Sequence, residues 1–363
     1  MIYLDHAATT PLCPAAKQAI IEHLDDFGNP SSVHELGRQS RLLLIEDARE
    51  RIAKRINADP GEIYFTSGGS EANTLALNKR QQHSMSSTFE HHSVRPLHNV
   101  IPVNKDGFIE ADKLHDYLSR WWTEVVSCMM VNNEIGTIQQ VKELATITHQ
   151  YGDVLFHTDA VQAIGHIPVD VKDINCDMLS ASAHKFGGPK GTGFLYIKSG
   201  TLIEPLIYGG NQEGGIRPGT ENVLGIVAMA AALEDAAWHM EERTAHVMYL
   251  RDMMLDRLLK IKGSHINGSI KNRAYSNINI RFDGVPGSRL VTLCSLYGIC
   301  ISAGSACNEG IPQPSHVLKA IGLSDEDALN SVRITIGHEN TEDEVIQAAN
   351  IITGLVDRVR TDE

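Results

Sequence analysis

Short apolar runs of strand length alternate along this chain with longer runs of helical period, and that alternation limits the possible folds more than any other feature. "EIYFTSGG" ends in a glycine turn and leads into the amphipathic "SEANTLALNKR"; "EVVSCMMVNN" is strand-like and precedes the helical "VKELATITHQYG". "VLFHTDA", "MLSASAHK" and "GTGFLYIK" follow, each bounded by polar or glycine residues. Successive strands separated by helices pair in parallel, because each helix carries the chain back across the sheet. The pattern predicts an α/β fold with a mostly parallel sheet covered by helices on both faces. Ligands in such sheets bind at the carboxyl ends of the strands.

The alternation is interrupted once. From Glu221 to about Lys262 the sequence is helical in period, longer than an ordinary globular helix, and is read as one or two long helices leaving the large domain. Beyond it, "SNINIRFDG", "ICIS" and "SVRITIG" read as strands, and "GSRLVTLCSLYG", "SHVLKAIGL" and "TEDEVIQAANIITGLVDRV" as helices. The last opens with a capping box, Thr341 to Glu344. A chain of 363 residues exceeds what one core usually serves. The expected division is a large domain over 12–250 and a smaller α/β domain formed by 1–11 and 251–363.

Charge and cysteine usage narrow the function. Thirty-two basic against 45 acidic residues leave a net charge of −13 with no basic run, which argues against a nucleic-acid partner. No stretch approaches the ~18 uninterrupted apolar residues of a membrane span. The opening "MIYLDHAATTP" lacks the pattern of a signal peptide, so a cytoplasmic location is expected, with the six cysteines as thiols. These form no CxxC pair and no zinc-like group with histidine, so no metal site is expected.

Chemistry concentrates at strand ends. "SASAHKFGGPKGTG" puts Lys185 just past a strand and ahead of a glycine-rich turn, where its amine can emerge into a crevice. Alone it would be an ordinary surface lysine. Asp159, 26 residues earlier, ends "VLFHTDA", and a neighbouring strand would bring it to the same sheet edge. A lysine that forms a Schiff base and an aspartate that keeps a pyridinium nitrogen protonated are the pair that pyridoxal phosphate chemistry requires. In "TSGGSEAN" the chain turns through Gly68 and Gly69 into a helix starting near Ser70, so unpaired N–H groups form an anion site. Ser182 and His184 can add donors.

With these residues placed, the chain resembles the cysteine desulfurases of the NifS and IscS group, within the class V aminotransferase family of pyridoxal phosphate enzymes. The resemblance runs nearly end to end, through "YLDHAATTP", "FGNPSSVH", "TSGGSEAN", "EHHSV", "VNNEIGTIQ", "HTDAVQAIG", "SAHKFGGPKGTG", "GGNQEGGIRPGT", "SAGSACNEG" and "VRITIGHENTEDE". It implies a dimeric fold type I transferase with a seven-stranded sheet and pyridoxal 5'-phosphate as cofactor. It further implies that Lys185 binds the cofactor, Asp159 pairs with the pyridine nitrogen, Gln162 bonds the phenolic oxygen, and His91 stacks on the ring and moves protons. Gly69, Ser70, Ser182 and His184 would hold the phosphate, joined by Thr220 from the other subunit of a homodimer. Asn133 and Arg333 would hold the substrate carboxylate. Arg333 is read on an edge strand, where an arginine is ordinarily an exposed charge; its planar fork suits a carboxylate.

By the same resemblance, L-cysteine is converted to alanine and its sulfur passes to Cys307 as a persulfide. "SAGSACNEG" sets that cysteine among small residues without strand or helix period, which predicts a mobile loop that delivers sulfur to an acceptor protein. Ser70 stands where the family usually has threonine, and the segment between Asn78 and His91 is shorter than in typical relatives. The chain also ends soon after its last helix, without the longer tail of relatives that serve an iron–sulfur scaffold. The acceptor is therefore open among cluster assembly, thiolated tRNA and thio-cofactor synthesis. Selenocysteine lyase, an aminotransferase and a silent sulfur-relay protein are the alternatives within this fold; an aminotransferase has little use for Cys307, and the relay lacks a reason to keep every expected catalytic residue. A plain nucleotide-binding module would rest on the glycine turn alone, and "TSGGSEAN" has neither GxGxxG nor GxxxxGK[ST].

Overall fold

The computed structural model describes residues 1–94, 99–303 and 313–361. Its strands are β1 (Ile2–Tyr3), β2 (Ile63–Thr66), β3 (Ser84–Ser87), β4 (Asn99–Ile101), β5 (Val125–Ser127), β6 (Leu155–Asp159), β7 (Met178–Ser182), β8 (Gly193–Ile197), β9 (Ser264–Ile266), β10 (Asn277–Phe282), β11 (Ile299–Cys300), β12 (Ser302–Ala303) and β13 (Ser331–Thr335). Seven of them form one sheet in the order β2-β8-β7-β6-β5-β3-β4. Only β8 runs antiparallel to its neighbours; the pairings from β7 through β4 are all parallel. The expected α/β architecture is the one observed.

Strand β2 is tied down by a buried ion pair. The Arg49 guanidinium meets the Glu213 carboxylate at 2.7 Å, and Glu213 accepts from the Phe65 N–H at 2.8 Å. This fixes the end of β2, where Gly68 takes φ of +148°, a conformation that side chains disfavour, and starts the helix Gly69–Ala76. Strand β3 carried no apolar signal, since it reads Ser-Met-Ser-Ser. It is nonetheless buried, because the parallel ladders to β4 and β5 satisfy its backbone.

The long helical stretch is two helices, Val223–Trp238 and Met240–Leu258, meeting at a 70° bend. No single helix among the described residues is long and apolar enough to cross a membrane. The first of the two packs into the core that lines the large sheet. The second contributes Val247, Leu250, Met254 and Leu258 to a separate core, together with Ile2 and Leu4, the sheet β12-β13-β10-β9, and the helices Gly287–Leu296 and Glu342–Thr361. Helix Met240–Leu258 thus runs across position 250. β1 pairs in parallel with β11. The capping box at the last helix is formed: Thr341 Oγ1 accepts from the Glu344 N–H at 3.3 Å, and Glu344 accepts from the Thr341 N–H at 3.2 Å.

Arg333 departs from expectation. Its strand β13 lies between β12 and β10, not at an edge, and the residue is only 8 % exposed. A buried guanidinium must have partners, and those it has bear directly on the site.

Candidate active site

Parallel pairing of β6 with β7, in a register that sets Asp159 opposite Ser180, brings Asp159 and Lys185 to one sheet edge. They line a cavity of about 290 Å³ together with Gly69, Ser70, Asn73, His91, Asn133, Gln162, Ser182, His184 and Arg333. Ten of the residues expected from sequence therefore meet in one place, on six separate stretches of chain.

Lys185 projects its amine onto the carbonyls of Ala7 and Ala8, at 2.6 and 2.9 Å. Burial lowers its pKa to about 8, helped by the Arg333 charge and opposed by Asp159 and Asp5. A usable fraction of the amine is thus neutral near pH 7.5, as attack on a carbonyl requires. The peptide behind it is also held. His166 Nε2 lies 2.8 Å from the Lys185 carbonyl, which can only accept, so Nδ1 is the acceptor for the Tyr275 hydroxyl at 3.1 Å.

Asp159 is 3 % exposed, and each carboxylate oxygen has a donor: the Val161 N–H at 2.9 Å and Asn73 Nδ2 at 2.7 Å. A carboxylate has lone pairs for more, so a ring N–H entering the cavity can be accepted as well. Asn73 also donates to Ser93 Oγ at 2.8 Å, and Ser93 Oγ lies 2.7 Å from His91 Nδ1. The Ser93 N–H points to the same nitrogen at 3.2 Å, which makes Nδ1 the acceptor and puts the His91 proton on Nε2. Burial lowers the His91 pKa against the pull of Asp159, so the neutral ring is favoured. Asn73 and Ser93 thereby connect the two expected residues, and neither was singled out by sequence. Asn73 carried a signal all the same: it follows Ser70 by one helical turn on the same face.

The anion site stands at the start of helix Gly69–Ala76. Its first intrahelical bond runs from the Ala72 N–H to the Gly68 carbonyl at 3.0 Å, so the Gly69, Ser70 and Glu71 N–H groups precede it. Ser182 and His184 face it from the end of β7. His184 has its pKa lowered to about 4 by burial and by Lys185, and so serves as a neutral donor or acceptor; its Nδ1 contacts Thr9 Oγ1 at 3.1 Å.

At the opposite wall, Arg333 Nη1 donates to the Asn133 carbonyl at 2.9 Å and Nη2 pairs with Asp5 at 2.8 Å, while its buried Nε has no partner. Gln162 Nε2 donates to the Ala7 carbonyl at 2.9 Å. The segment 5–8 thus touches Arg333, Gln162 and Lys185, a role that no local property of "DHAA" betrays. Thr220 is exposed and does not line this cavity. Cys307 lies outside the described residues.

Comparison with known proteins agrees in extent. The class-V aminotransferase family matches residues 2–347. The cysteine desulfurase IscS of Dictyoglomus turgidum is 43 % identical over 99 % of this chain and 95 % of its own length. The NifS-like protein of Rickettsia africae superposes with a TM-score of 0.92 at 33 % identity, covering 98 % of this chain and 99 % of that one. A structure described as SspA in complex with cysteine has a TM-score of 0.80 at 32 % identity, covering 94 % of this chain and all of that one.

Proposed function

Because this chain belongs to the class-V aminotransferase family, among its cysteine desulfurases, we propose that it converts L-cysteine to L-alanine with pyridoxal 5'-phosphate as cofactor and passes the sulfur to Cys307. The observation that carries this reading is the meeting of a desolvated Lys185, a buried Asp159 and a helix N-terminus around one cavity. The donor set fits the cofactor at three points: a partly neutral amine for its aldehyde, a buried carboxylate for its ring nitrogen, and backbone N–H groups with Ser182 for its phosphate. When bound, the cofactor supplies an electron sink for the substrate's α-carbon.

The chain's own groups do the rest. Arg333 and Asn133 bind and orient the substrate carboxylate, and the buried Nε–H of Arg333 still lacks an acceptor. Lys185 takes the α-proton, its lowered pKa keeping it a base near neutrality. His91, protonated on Nε2 and held by Ser93, gives and takes protons at the substrate face. Cys307, as thiolate, forms a bond to the substrate sulfur while the carbon–sulfur bond breaks and the bonding pair stays with the carbon fragment, which is protonated to alanine.

The remaining parts of the reading are a homodimer, a two-domain division at about 250, a cytoplasmic location and a protein sulfur acceptor. Phe27, Val33, Leu42 and Leu43, all more than half exposed, support a dimer that covers them and brings Thr220 to the partner's phosphate site. The test is direct. Purified protein with the cofactor is yellow, releases sulfide from L-cysteine, and on borohydride reduction carries the cofactor on Lys185. Cys307→Ala keeps the colour and loses persulfide formation; unchanged sulfide release by that variant would falsify the mechanism.

A further inference from the structure

Arg333 is not free to choose how it meets a ligand. Asp5 Oδ1 holds Nη2 at 2.8 Å, and the Asn133 carbonyl holds Nη1 at 2.9 Å. Asp5 is itself fixed: its second oxygen accepts from Ser302 Oγ at 3.0 Å, and its backbone is bridged to Thr335, the last residue of β13. Both members of the pair are shielded, with side-chain exposures of 17 % for Asp5 and 10 % for Arg333. The guanidinium is therefore clamped at both terminal nitrogens, and its Nε is buried without a hydrogen-bond partner.

We propose that Asp5 is a positioning residue for the substrate carboxylate: it pins the Arg333 fork through Nη2 so that the remaining N–H groups face the cavity. The proposal rests on the desulfurase reading, in which Arg333 binds that carboxylate. Without Asp5 the buried cation would turn toward another anion. Glu134 is a candidate, since it follows Asn133, whose carbonyl already holds Nη1, and the Arg333 charge favours its ionised form against the burial that raises its pKa to about 7. A guanidinium drawn that way presents the wrong edge.

This role makes a prediction opposite in sign to bare electrostatics. Removing the negative charge of Asp5 leaves Arg333 a stronger attractant for any carboxylate, which alone would tighten binding. Loss of the clamp loosens it. The experiment compares wild type and Asp5→Asn holoenzyme in sulfide release from L-cysteine and from L-cysteine methyl ester, which lacks the anionic carboxylate, after thermal melts establish that the variant is folded. The expected result is a KM for L-cysteine raised about tenfold with the ester's KM unchanged; the Asp5 charge also acts on the Lys185 amine, which both substrates share, so the deciding readout is the ratio of the two KM values. Ser302→Ala, which removes the second support of Asp5, is expected to raise the same KM about threefold and decides the matter if Asp5→Asn does not fold. A lower KM, no change, or an equal loss on both substrates overturns the proposal. A wild type that releases no sulfide from L-cysteine refutes instead the reading beneath it, and the proposal with it; an active wild type without the acid-specific effect refutes the positioning role alone.

Discussion

The amine of Lys185 offers the sharpest test of the site's electrostatics, because its environment predicts a measurable reactivity before any turnover. Burial and the Arg333 guanidinium bring its pKa from 10.5 to about 8. At pH 7.5 an ordinary lysine is neutral to about 0.1 %, whereas an amine titrating near 8 is neutral to about a quarter, a difference of roughly 200-fold. Competitive acetylation of cofactor-free protein with limiting acetic anhydride, read by mass spectrometry across pH 6 to 11, reports each lysine's midpoint. Lys185 is expected to label ahead of the surface lysines with a midpoint near 8. Arg333→Gln should raise that midpoint and Asp159→Asn should lower it further, since the two charges act in opposite directions. The same shift has a stability signature. A base whose pKa is lower in the folded state binds more protons unfolded between pH 8 and 10.5, so stability rises with pH across that window and the penalty is complete below it. The penalty is about 3 kcal/mol, and Lys185→Met should abolish the slope. Labelling of Lys185 together with the surface lysines near pH 10.5 would refute the argument that the cavity desolvates it.

Three other outcomes follow from particular contacts. Gly69→Ala would set a Cβ 2.5 Å from Val161 Cγ2, and Val161 holds Asp159 through its N–H, so a stability loss of about 1–3 kcal/mol with weakened cofactor affinity is expected by thermal melt and absorbance titration. Glu90 is fully buried and its pKa is raised to about 8 by desolvation. An acid raised in this way binds more protons folded than unfolded, so wild-type stability should fall as pH rises from 4.5 to 8; denaturant melts of Glu90→Gln should lack that component, and identical slopes would disprove it. Glu213→Ala leaves the Arg49 guanidinium short of its bidentate partner and frees the end of β2, with an expected loss of about 3–5 kcal/mol in urea unfolding.

Much of the fold was legible because its signals are local. The strands β2, β6, β7, β8, β10 and β13 coincide with apolar runs bounded by glycine or polar residues, and the last helix announces itself by Thr341 and Glu344. β3 was not legible, because Ser84, Ser86 and Ser87 are buried by the strands beside them and not by their own hydrophobicity. Whether 221–262 is one helix or two stayed open for a similar reason: helical period continues through His239, and the bend there follows from the two helices packing into different cores. The interior place of β13 depended on β12, a two-residue strand too short for any pattern.

The chemistry divides along the same line. Residue type and local geometry were enough to nominate Lys185, Asp159 and the glycine turn, since a strand end, a following turn and a helix start are written in neighbouring residues. The partners that set their behaviour come from elsewhere: Asn73 and Ser93 between Asp159 and His91, His166 and Tyr275 behind Lys185, and Asp5 clamped to a guanidinium 328 residues away. Desolvation and hydrogen-bond pairing are properties of what surrounds a group, and only chain closure in three dimensions assembles those surroundings.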